Sequence, residues 1–88
     1  MYFVYILKCA DNSLYTGSTA DLARRLKEHN NRKRGAKYTS GRRPVKLVYS
    51  EHFKTLRKAL QREAEIKSWN RRKKVEMIKV TPFESGRR

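Results

Sequence analysis

The sequence predicts an α+β fold, a small three-stranded antiparallel sheet flanked by helices, in the order β-β-α-β-α with a further short helix after it. Three observations carry this. Apolar residues come in blocks, some with strand composition and others at helical spacing. Turn residues separate the first two blocks closely enough for a hairpin. At 88 residues there is room for one domain, expected over residues 1–80, with a modest core.

Taken in order, Tyr2-Phe3-Val4-Tyr5-Ile6-Leu7-Lys8-Cys9 is β-branched and aromatic, the composition of a strand buried on both faces. Ala10-Asp11-Asn12-Ser13 is turn chemistry, and Leu14-Tyr15-Thr16-Gly17 reads as the return strand. Ser18 or Thr19 is expected to cap a first helix, with Asp21 in its first turn. That helix runs to about Asn30, with Leu22, Ala23 and Leu26 as its apolar stripe. From His29 to Ser50 there is no acidic residue. Gly35, Gly41 and Pro44 break this basic stretch, so it begins as a loop and ends in a third strand, Val45 to Ser50. A second helix is expected from near Thr55 to about Arg71, then a short helix around Val75 to Ile78. Residues 81–88 are expected to form a flexible tail.

Lys and Arg number 23 and Asp and Glu 8, giving a net charge of 23 − 8 = +15. With 38% hydrophobic residues a core remains affordable, so global disorder is not expected. No apolar run approaches the ~18–20 residues that span a bilayer, and no leader is expected before the first strand. A lone Cys9 cannot form an internal disulfide, and with only His29 and His52 a transition-metal cage is not expected. A cytoplasmic protein is anticipated, whose partner is a polyanion: nucleic acid first, DNA ahead of RNA, and no membrane. Any bound metal should be a hard cation on oxygen ligands.

The second helix holds the most informative residue. At about 100° per residue, with Leu56 at 0°, Ala59 falls at about 300°, Leu60 at about 40° and Ile66 at about 280°. Glu63 falls at about 340°, in the middle of that apolar arc, whereas Glu65 faces the opposite side. An inward carboxylate must be paired, hydrogen-bonded or metal-bound. The alternatives are an internal salt bridge with one of the many Arg residues, a catalytic acid, or a ligand for Mg²⁺, which needs only one carboxylate. On the first helix, Arg25 and His29 are four apart and share one face, either as a solvated flank or as part of a site.

These positions together resemble the GIY-YIG nuclease superfamily, over roughly residues 2 to 78. Its first half-motif appears as Val4-Tyr5-Ile6 and its second as Tyr15-Thr16-Gly17. An Arg eight residues after that Gly is Arg25, and a His twelve after it is His29. The segment Ala59-Leu60-Gln61-Arg62-Glu63 is similar to the one bearing the family's metal-binding Glu, and Glu65-Ile66-Lys67-Ser68-Trp69 resembles its compact single-domain branch. The departures are Val4 where the family has Gly and Thr16 where it has Ile. A supporting Asn of some members is matched to Asn70, at about 320° on the Glu63 side.

The resemblance implies a divalent-metal endonuclease acting on DNA or RNA, with one Mg²⁺ or Mn²⁺ on Glu63, bound mainly with substrate. Tyr15 would deprotonate or position the attacking water, Tyr5 would support it, Arg25 would bind the scissile phosphate, and His29 would relay a proton or hold the tyrosine. Gly17 would support the site. The basic residues Arg32, Lys33, Arg34, Lys37, Arg42, Arg43 and Lys67 would track the backbone, with salt-dependent and largely sequence-blind binding. Tyr38 and Trp69 could stack on unpaired bases, favouring branched or single-stranded targets, although for Trp69, at about 220° near the edge of the buried arc, packing is the better reading. Recognition beyond this is left to a partner protein or dimerisation, and a monomer or weak dimer is expected. The alternatives are a basic protein that coats nucleic acid without chemistry, or a degenerate nuclease that binds without cutting.

Overall fold

Tyr2–Lys8 forms β1, the middle strand, and its position follows from its composition. Val4, Tyr5, Ile6 and Leu7 are all buried, so both faces must be covered. The computed structural model describes residues 1–30 and 41–80. β2 (Leu14–Thr19) and β3 (Lys46–Phe53) flank β1 in the order β2-β1-β3, both antiparallel to it. The helices are α1 (Leu22–His29), α2 (Leu56–Lys67) and α3 (Arg71–Val80). Among the described residues no helix is long and apolar enough to cross a membrane. The expectations for residues 31–40 and 81–88 lie outside the described residues.

The hairpin closes as its chemistry requires. Asn12 sits at φ 70°, a conformation Asn tolerates, and the Asp11 carboxylate accepts from the backbone N–H (3.0 Å) and hydroxyl (2.6 Å) of Ser13. Pleating then sorts the side chains into two layers. Tyr5, Leu7 and Cys9 face one side, packed with Val45, Leu47 and, from α1, Leu22 and Leu26. Val4 and Ile6 face the other, packed with Tyr49 and with Ala59 and Ile66 of α2; Trp69, Met77 and Ile78 complete that layer.

Several local expectations are corrected. Asp21, not Ser18 or Thr19, caps α1: its extended backbone (φ −142°, ψ 99°) lets its carboxylate accept from Arg24 N. The cause is that β2 continues to Thr19, which pairs with Phe3. Ala23 is exposed and does not join the Leu22/Leu26 stripe. β3 runs past Ser50 to Phe53, with a bulge between Ile6 and Leu7 of its partner. α2 stops at Lys67 rather than Arg71, and the third helix begins at Arg71 because Asn70 starts it, accepting through its side-chain oxygen from Lys73 N at 2.9 Å.

The buried arc of α2 is also displaced. Ala59 and Ile66 are fully buried, whereas Leu56 and Leu60 are each 48% exposed. The inward side is extended instead by Arg62 and Trp69. Arg62 donates to Glu51 on β3 (2.9 and 3.0 Å) and to Glu65 (2.9 Å), and lies 5.2 Å from the Trp69 ring centroid. Tyr49 donates to the same Glu51 carboxylate. Burial pushes that carboxyl up, but the bonds from Arg62 and Tyr49 outweigh it and hold it below the usual range.

Candidate active site

Register builds the centre of the site. Tyr5 on β1 lies directly opposite Gly17 on β2, and Tyr15 is two residues back on the same face. A Cβ built on Gly17 would meet the Tyr5 hydroxyl at 2.5 Å and the Tyr15 ring at 3.1 Å. The two phenols therefore close over bare backbone, with ring centroids 6.4 Å apart.

α1 delivers the next two groups. Its helical spacing puts Arg25 and His29 one turn apart, and its C-terminal end is clamped to the start of β3: Asn30 accepts from Val45 N (2.8 Å) and donates to Val45 O (3.3 Å). His29 is fully buried, with Nε2 2.8 Å from the Tyr5 hydroxyl and its ring 5.0 Å from the Tyr15 centroid. Burial, aided by the Arg25 charge, pushes His29 down to about 4, so it is neutral at pH 7. Burial likewise pushes Tyr5 up to about 12, partly offset by a hydrogen bond from Arg25. Arg25 donates to the Tyr5 oxygen, so the phenol lies between a guanidinium and the His29 imidazole. Arg25 also pairs with Glu28 at 2.9 Å.

Glu63 comes from the other layer. Ser18 alternates with Gly17 and so faces α2, where its hydroxyl donates to Glu63 Oε1 at 2.7 Å. Oε2 is 2.8 Å from Lys67 Nζ, one helical turn on. Lys67 interacts electrostatically with Tyr15 as well, and Glu63 with Tyr5, so the two layers communicate around the edge strand β2. Glu63 therefore stands at the flank of the buried arc, not at its middle. As to a metal, the described residues contain no group of three or more His, Cys, Asp and Glu, so no transition-metal cage exists among them. One carboxylate beside a hydroxyl, at a point where a cation already rests, does fit a hard divalent ion that keeps most of its waters.

The structure thus brings together Tyr5, Tyr15, Gly17, Arg25, His29 and Glu63. Lys67 pairs with Glu63, which raises its ammonium above the ordinary value, and its side chain stays half exposed. One expectation is corrected. Asn70 is the cap of α3 and not a support for Glu63, because its phase was extrapolated through a helix that has already ended. Arg42 pairs with Asp11 at 3.0 Å, tying the chain before β3 to the hairpin turn. Arg43 keeps Nη1 buried without a hydrogen-bond partner among the described residues. Arg32, Lys33, Arg34, Lys37 and Tyr38 lie outside the described residues. Trp69 is packed, with Lys73 Nζ 4.4 Å from its centroid. Ser18 was missed as a site residue; the signal was its place in the two-residue alternation of β2, on the face opposite Gly17.

A paired-tyrosine strand motif with Arg, His and Glu at these places defines a nuclease-type domain. The chain belongs to the GIY-YIG family: the model of the GIY-YIG catalytic domain matches residues 1–76. Its relatives are UPF0213 proteins. It is 52% identical to one from Syntrophus aciditrophicus over 91% of this chain and 92% of that one. It is 55% identical to one from Staphylococcus aureus, over 89% and 94%. The solution NMR structure of the UPF0213 protein BH0048 from Bacillus halodurans matches with a TM-score of 0.60 at 45% identity, covering 92% of this chain and 86% of that one.

Proposed function

We propose that the chain is a divalent-metal-dependent endonuclease of the cytoplasm that hydrolyses phosphodiester bonds in DNA or RNA, DNA being favoured, during nucleic-acid repair or processing. The observation that carries this is the meeting of Tyr5, Tyr15, Arg25 and His29 over Gly17, with Glu63 fixed to the same strand through Ser18.

In this mechanism Arg25 binds the scissile phosphate and stabilises charge on its oxygens. Tyr5 stays protonated at neutral pH and orients its neighbours instead of ionising. Tyr15 positions the attacking water or, as its phenolate, takes that water's proton; the water oxygen bonds to phosphorus while the bond to the leaving oxygen breaks with its electron pair, and the leaving oxygen is protonated from solvent. His29, uncharged, fixes the Tyr5 hydroxyl and adds no second positive charge beside Arg25. Glu63 and Ser18 would hold one Mg²⁺ or Mn²⁺, which when bound with substrate polarises the phosphate and steadies the leaving oxygen. The enzyme is taken to act as a monomer or weak dimer, with sequence selection left to a partner protein.

One observation favours a second function, nucleic-acid binding without cutting. Both Glu63 oxygens already have partners, and the Lys67 contact is an internal ion pair. A cleavage assay at low salt separates the two. Labelled single-stranded, duplex and flapped DNA and matching RNA are incubated with Mg²⁺, Mn²⁺ or EDTA, beside Glu63→Ala and Tyr15→Phe. Metal-dependent cutting lost in both variants, with Glu63→Ala retaining near wild-type affinity, is the expected result. Binding without cutting in every metal leaves only the binding function.

A further inference from the structure

Away from the tyrosine cluster, α3 and the hairpin end of the sheet enclose a groove of about 260 Å³. Its half-buried lining is apolar, from Leu14, Val48, Val75 and Ile78, and its exposed lining is cationic, from Lys8, Arg71 and Lys79. A second hollow of about 240 Å³ shares Leu14 and Arg71 with it and adds Lys74. None of these four cations pairs with a carboxylate among the described residues, although Arg72, on the same helix, pairs with Glu76. Four uncompensated cations beside an apolar surface complement a ligand with both phosphates and exposed flat apolar faces. A single-stranded polynucleotide offers both, whereas a duplex keeps its base faces inside.

The location agrees with the chemistry. Leu14 and Ser18 are four residues apart on β2 and face the same side, so the groove lies roughly 13 Å along the strand from the Ser18 hydroxyl that holds Glu63. We propose that this groove is a second nucleic-acid subsite, which binds an unpaired segment of the strand that passes Glu63. It rests on the nucleic-acid-binding part of the function proposed above and does not require cleavage.

The test is fluorescence anisotropy on the full chain in EDTA, with a labelled single strand and a duplex of equal length over a salt series. Arg71→Ala with Lys79→Ala is compared with Arg57→Ala with Lys58→Ala, a pair on α2 that removes the same charge outside the groove. Losing two phosphate contacts lowers the slope of log affinity against log salt by about 1.4 for a single strand. We expect that change in the groove variant, with a fall in its preference for single strand over duplex, and less than half of it in the control. Equal slopes in the two variants, or equal losses on duplex and single strand, would overturn the subsite. So would a groove variant that loses only binding to phosphatidylglycerol vesicles. Failure of the wild-type chain to bind any oligonucleotide at low salt would instead remove the proposed function itself.

Discussion

The Tyr5 hydroxyl occupies the space that a side chain on Gly17 would need: a Cβ there would lie 2.5 Å from the phenolic oxygen and 2.7 Å from the carbon that bears it. Glycine is required at this position by a neighbour's ring, since no glycine among the described residues has positive φ. Tyr5 is held on its other side by His29, so it has little freedom to yield.

Gly17→Ala is therefore expected to displace Tyr5, break its bond to His29 and destabilise the fold by about 1–3 kcal/mol, the usual cost of overpacking. Cleavage should fall at least tenfold. Denaturant midpoints and the assay above check both; a Gly17→Ala protein as stable as wild type would show that the strands part without cost.

His29 makes stability depend on pH. A buried neutral imidazole at about 4, against 6.5 when unfolded, means that the unfolded chain binds the extra proton between these values. Stability is then fully present above pH 6.5 and is lost as pH falls toward 4, by on the order of 3 kcal/mol in all. Urea titrations at pH 7, 6 and 5 should show the loss in wild type and a flatter profile in His29→Gln. Parallel profiles would assign the pH dependence elsewhere.

Lys67 sits where a divalent ion would compete for Glu63. Its side chain is 52% exposed, so the pair is worth only about 0.2–1 kcal/mol. Lys67→Met should accordingly tighten Mn²⁺ binding by about 1.5- to 5-fold, read from the free-ion signal in electron paramagnetic resonance. Unchanged or weaker binding would mean that the two cations do not share a position.

Arg62 joins β3 to both C-terminal helices through Glu51, Glu65, the Trp69 ring and the Met77 sulfur of α3. Arg62→Ala leaves Glu51 without its charged partner, and a loss of about 1–3 kcal/mol is expected, with Glu51→Gln/Arg62→Met recovering part of it. A thermal or urea midpoint unaffected by Arg62→Ala would reduce this network to surface decoration.

The sheet was legible because it rests on local chemistry, a doubly apolar strand and a turn. The four-residue spacing put Arg25 and His29 on one face of α1, but it was the family resemblance that joined them to Tyr5, Tyr15 and Gly17 as one site. The helical face of α2 was legible only in part. Leu56 and Leu60 look like core on a wheel, but the helix lies over β1 and β2 so that Ala59 and Ile66 take the inside and Glu63 reaches the edge. Ser68 and Asn70 are residue types that favour helix ends, but a wheel drawn through them hides the break; Asn70 caps α3 and Trp69 packs against the core. Glu63's two partners differ in the same way. Lys67 was one turn away in sequence, whereas Ser18 required the strand pairing.

The contact between Ser18 and Glu63 spans 45 residues of chain. During synthesis the tyrosines, Arg25 and His29 leave the ribosome well before the carboxylate does. A nascent chain would thus be basic and able to cling to the RNA around it long before it owned the group needed to harm it. Under the proposed function, competence to cut would arrive only when the last third of the polypeptide has folded back onto the edge strand, so that completion of the fold would be its own safety catch.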